Sequence, residues 1–122
     1  MMKDLSVSQM MAMQRELYEL HKHEWSPRVP KTGRDFMLFL TEELGEAIAI
    51  IKKKGDDAVT EDPEVRCHFT EEMVDIMMYF TEILICHGIT PEEFASAYEQ
   101  KHHKNIGRNY RGEYAHLFEA EE

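Results

Sequence analysis

The amino-acid sequence predicts an all-α protein built as a four-helix bundle. Apolar residues recur at three- and four-residue intervals through most of the chain, as on the inner face of a helix. Only four prolines and six glycines occur, and most stand where helices should start or stop. No stretch of alternating β-branched residues competes with this pattern.

Ser6-Val7-Ser8-Gln9 reads as a capping box, a hydroxyl three residues before a glutamine. Met10, Met13, Leu17 and Leu20 follow at helical spacing. This first helix is expected to end near Trp25-Ser26-Pro27, because proline disfavours helix for the residue before it. Arg28 to Lys31 is a loop. Thr32 is expected to cap a second helix, whose periodic run goes from Phe36 to Lys54 and stops at Gly55. The polar run Asp56 to Glu61 reads as a connection. Asp62 and Pro63, a cap and a proline at the first helical position, open a third helix that runs to about His87, with Gly88 as its stop. Thr90-Pro91-Glu92-Glu93 opens a fourth helix that continues to roughly Asn105. The tail after Arg108, with Tyr110, Gly112 and Tyr114, is expected to be irregular.

At 122 residues the chain fits a single domain. With 24 acidic and 14 basic residues the net charge is −10, which opposes direct binding to nucleic-acid backbone or anionic membrane. Cys67 and Cys86 make no disulfide framework, and the first residues form no apolar signal region, so a reducing cytoplasm is the expected compartment. The longest nearly apolar run, Ile76 to Cys86, is interrupted by Thr81 and Glu82, so no membrane span is expected.

Four carboxylates stand among apolar positions. At about 100° per residue, Phe36, Phe39, Ala47 and Ile50 fall within about 40° of Glu43, and Glu46 lies about 60° to one side. The third helix repeats the arrangement around Glu72. Val65, Ile76, Tyr79, Ile83 and Cys86 lie within about 40°, and Asp75 sits about 60° to the same side. If these stripes face each other, four carboxylates converge with no basic residue in the pattern. A desolvated carboxylate without a partner costs several kcal/mol. A hard divalent cation with oxygen ligands, Mg²⁺ or Mn²⁺, is the simplest remedy. A single Glu-x-x-Glu is usually a solvated face, and Glu16, Glu19, Glu92, Glu93 and Glu99 read that way.

The segment Glu42-Glu43-Leu44-Gly45-Glu46, then Glu71-Glu72-Met73-Val74-Asp75, resembles the Glu-Glu-x-x-Glu and Glu-x-x-Asp signature of the MazG-like nucleoside triphosphate pyrophosphohydrolases. This all-α superfamily also contains dimeric dUTPases and phosphoribosyl-ATP pyrophosphohydrolases. Its third signature is a basic and amide cluster near the end of the fourth helix, where Lys101, Asn105 and Arg108 stand, followed by Tyr110. The resemblance covers residues from about 8 to 112. It implies that Glu43, Glu46, Glu72 and Asp75 are Mg²⁺ ligands, that Glu42 orients the attacking water or supports the ligands from behind, and that Glu42 and Glu46 are the catalytic acids. It also implies that Lys101, Asn105 and Arg108 contact phosphates, with Tyr110 beside the substrate. The implied reaction is hydrolysis of a nucleoside triphosphate to the monophosphate and pyrophosphate. The implied assembly is a homodimer or a dimer of dimers, with sites near the subunit interface.

Trp25, the one tryptophan, either stacks on a base or packs over the bundle end. Lys54 either reaches a phosphate or belongs, with Lys52 and Lys53, to a solvated helix end that suits the dipole. No Gly-x-x-x-x-Gly-Lys-Ser/Thr loop exists, which excludes a P-loop NTPase. The alternatives from other classes are a non-catalytic, metal-stabilised regulatory bundle and a carboxylate-bridged redox dimetal protein. The latter would need a second Glu-x-x-His beside Glu99-Gln100-Lys101-His102. A small bundle that gives part of its interior to four acids has little core left, so an obligate oligomer is expected, with the methionine-rich first helix offering an apolar face.

Overall fold

The structure, a computed structural model, describes residues 4–108. It is all-helical, with no strand among the described residues. The helices are α1 (Val7–His21), α2 (Pro30–Lys54), α3 (Ala58–Glu61), α4 (Pro63–Cys86) and α5 (Pro91–Ile106). The chain divides into two compact units, one ending at Pro91 and the other beginning at Glu92. The first holds α1 to α4 and the second holds the body of α5.

Three boundaries differ from the sequence expectation. The capping box at Ser6 and Gln9 forms as expected, at 3.1 and 2.7 Å. However, α1 ends at His21, before Trp25, because the Glu24 and Trp25 amides both turn back onto the His21 carbonyl at 2.9 and 3.1 Å. The second helix starts at Pro30, and Thr32 lies inside it instead of capping it. Proline fixes φ and has no amide to satisfy, so it opens a helix without a side-chain cap. The connection after Gly55 contains the extra turn α3, in which the Thr60 and Glu61 amides donate to the Asp57 carbonyl. Asp62 caps α4 as expected, its Oδ1 accepting from the Glu64 and Val65 amides at 3.0 and 3.4 Å.

α2 and α4 pack along most of their length and run antiparallel. Gly33 at the start of α2 meets Cys86 and His87 at the end of α4, while Lys54 at its end shares a cleft with Asp62 and Val65 at the start of α4. α1 packs on α4. Among the described residues, Met11, Ala47, Val65, Leu84 and Cys86 are the buried apolar side chains.

A buried ion pair ties α1 and the following loop to α4. Glu82 is 5% exposed. Its Oε1 accepts from Arg28 Nη2 at 2.7 Å and from Gln14 Nε2 at 2.9 Å, and its Oε2 accepts from Arg28 Nε at 3.1 Å. Arg28 Nη2 also donates to the Gln14 carbonyl at 2.7 Å, and the guanidinium lies 4.3 Å from the Tyr18 ring centroid. Both charges are therefore paired and hydrogen-bonded, the condition under which burial is tolerated. No single described helix is long and apolar enough to cross a membrane.

Candidate functional site

Glu43 and Glu46 share a face of α2 because they are three residues apart, and antiparallel packing brings that face to Glu72 of α4. Each of the three offers a carboxylate oxygen within 4.8 Å of the others. Glu43 Oε2 and Glu72 Oε2 are buried and have no hydrogen-bond partner. Among the described residues no lysine or arginine pairs with the three. The nearest basic nitrogen is His68 Nε2, 3.5 Å from Glu72 Oε1.

The electrostatics follow from this crowding. The Glu43 carboxyl is pushed up to about 7, first because its protonated form can hydrogen-bond Glu72, then through desolvation and through Glu46. Buried acceptors without donors cost free energy. A divalent cation with oxygen ligands would satisfy both orphaned oxygens and relieve the repulsion, so this donor set fits Mg²⁺ or Mn²⁺.

Two clefts flank the cluster. Glu46 and Glu72 line the first, a space of about 620 Å³, together with Lys53, Lys54 and His68. Lys54 thus shares this cleft with Glu46 and Glu72. Asp75 is not in the converging group of three. It lines the second cleft, about 530 Å³, with Trp25, Phe36, Phe39, Tyr79 and Asp35. The Phe36, Phe39 and Tyr79 ring centroids stand 5.8 to 6.0 Å apart. Trp25 stacks on His21 at 5.2 Å and remains 39% exposed. Burial raises the Tyr79 phenol, and Glu43 and Asp75 raise it further. Glu42 is exposed on α2.

In the second unit, Arg108 Nη1 donates to Asn105 Oδ1 at a long 3.5 Å, and Lys101 is exposed on α5. Tyr110 lies outside the described residues. Sequence reasoning missed His68, Lys53 and the pairing of Arg28 with Glu82. His68 was legible in principle, since it stands one turn before Glu72. The partners of Glu82 lie on another helix and in a loop, and no sequence spacing announces them. Comparisons with family models, curated proteins and solved structures gave no match.

Proposed function

We propose that the chain is a Mg²⁺-dependent nucleoside triphosphate pyrophosphohydrolase that releases pyrophosphate and a nucleoside monophosphate. The observation that carries this reading is the pair of buried, partnerless oxygens on Glu43 and Glu72, in a cluster flanked by a lysine-bearing cleft and an aromatic one. Glu43, Glu46 and Glu72 would hold the cation, with Asp75 completing the set on the aromatic side. Bound there, Mg²⁺ would neutralise phosphate charge and make water a better nucleophile.

The remaining functions fall to side chains. Lys53 and Lys54 supply positive charge to the phosphates. Trp25, Phe36, Phe39 and Tyr79 offer apolar faces to a base. Glu42 or Glu46 orients the attacking water. By the family resemblance, Lys101, Asn105 and Arg108 are the expected phosphate contacts and Tyr110, outside the described residues, an expected substrate contact. The working form is a homodimer or homotetramer.

A nucleotide panel assayed for pyrophosphate release, with Mg²⁺ and with excess chelator, tests the reading. Turnover with Mg²⁺ and none with chelator is expected. Full turnover in chelator overturns the metal assignment. Mg²⁺-dependent stabilisation with no turnover on any nucleotide would favour the regulatory bundle instead.

A further inference from the structure

We infer that the aromatic cleft selects nucleotides whose base carries an exocyclic amine, and that Asp35 is the residue that selects them. This rests on the pyrophosphohydrolase reading above and adds the substrate class.

The cleft is lined by Glu24, Asp35, Asp75 and Glu82 and by no lysine or arginine. Its carboxylates are all acceptors when charged. They differ in what else they do. Glu82 already accepts from Arg28 and Gln14. Asp75 sits three residues after Glu72, beside the metal cluster. Glu24 is exposed at the rim. Asp35 is half-buried, one residue before the aromatic wall begins at Phe36, and has no side-chain partner among the described residues. It is the carboxylate left to meet the edge of a stacked base.

Cytosine and adenine present an amine donor, at N4 and N6, on that edge. Uracil, thymine and hypoxanthine present a carbonyl oxygen in the same place. A carboxylate accepts a hydrogen bond from the first group and repels the oxygen of the second. The hydroxyls of Tyr18, Ser26, Thr32 and Tyr79, also in the cleft, rotate to donate or accept, so they do not discriminate. Deamination converts the first group of bases into carbonyl bases. The cleft is therefore built to act on amine-bearing nucleotides and to pass over their deamination products.

The test uses two substrate pairs that differ chiefly by amine against carbonyl: deoxycytidine with deoxyuridine triphosphate, and deoxyadenosine with deoxyinosine triphosphate. The wild-type chain should favour the amine-bearing member of each pair by about ten- to a hundredfold in kcat/KM, the range for one good base-edge contact. Asp35→Asn, whose amide both donates and accepts, should collapse that ratio at an unchanged melting temperature. A wild-type chain without the preference, or one that favours the carbonyl members, overturns the inference while leaving the hydrolase reading intact. So does an Asp35→Asn variant that keeps the full ratio. If neither these four nor any other nucleotide of the panel is hydrolysed, the hydrolase reading fails. Quenching of Trp25 fluorescence by cytidine against uridine monophosphate then decides the cleft's preference without turnover, and equal or uridine-favouring binding overturns it.

Discussion

In the folded chain Glu43 takes up its proton near pH 7, whereas an unfolded glutamate does so near 4.5. Between those values the folded state binds more protons than the unfolded one. Stability therefore falls as pH rises through that window and stays lower above it. The metal-free protein should melt at a higher temperature at pH 5 than at pH 8 by the part that Glu43 contributes. Glu43→Gln, which keeps the shape and removes the charge, should flatten that part, equal or exceed the wild type in stability at pH 8, and lose the Mg²⁺-dependent rise in melting temperature. Identical pH profiles for the two proteins would place the proton elsewhere. Glu82 presents the opposite case, a buried charge whose partners are present. Arg28→Ala leaves its carboxylate buried and uncompensated and should cost about 3–5 kcal/mol in urea unfolding. A loss no larger than that of a surface pair would mean that water replaces the guanidinium.

The α2–α4 pair positions the carboxylates, and it depends on a close approach at its end. A Cβ on Gly33 would lie 3.0 Å from Cys86 Cβ and 2.5 Å from His87 Cε1. The imidazole can rotate away, but the Cys86 Cβ is fixed to the α4 backbone. Gly33→Ala should therefore destabilise by about 1–3 kcal/mol, the usual cost of overpacking, and lower Mg²⁺ affinity by tilting α2. Chemical denaturation and metal titration of the variant check both, and a stability equal to wild type would show that the helices separate freely. Much of this level was legible in the sequence. The caps at Ser6 and Asp62, the stops at Gly55 and Gly88, and the acid pairs three residues apart are local signals, and local signals survive folding. The end of α1, the start of α2 and the turn α3 were misplaced. There, backbone hydrogen bonds and the fixed φ of Pro30 decide, with no side-chain pattern to announce them. The division of the acids between cluster and cleft also escaped the sequence. A helical wheel gives the angle of Asp75 and not its distance to the facing helix.

At the scale of the molecule, the buried apolar core among the described residues is small for the apolar surface left outside it. Met37, Leu44, Ile48, Met73 and Met77 are each between 41% and 53% exposed. On α2 the first three lie about 100° to 140° from Glu43, and on α4 the last two lie about 100° to 140° from Glu72, in the same rotational sense. On antiparallel helices, equal offsets of the same sense fall on one side of the pair. These residues thus make one apolar face, and Glu46 and Asp75, offset in the other sense, turn to the opposite side. An apolar face of this kind marks an interaction surface, and the expected oligomer gives it an occupant in a second copy of the chain. On α1, Met11 is fully buried, whereas Met13 is 44% and Leu20 69% exposed. The site and this face occupy different sides of the same two helices, so association through the face would leave the carboxylates uncovered. Sedimentation should therefore give a multiple of the 14.4 kDa chain mass. Ile48→Asp combined with Met77→Asp places charge in the centre of the face and should shift the protein to the monomer. Turnover should fall with the assembly, while far-ultraviolet circular dichroism keeps its helical form. A wild-type chain that sediments as a fully active monomer would leave this face without a partner copy and would remove the oligomer from the mechanism.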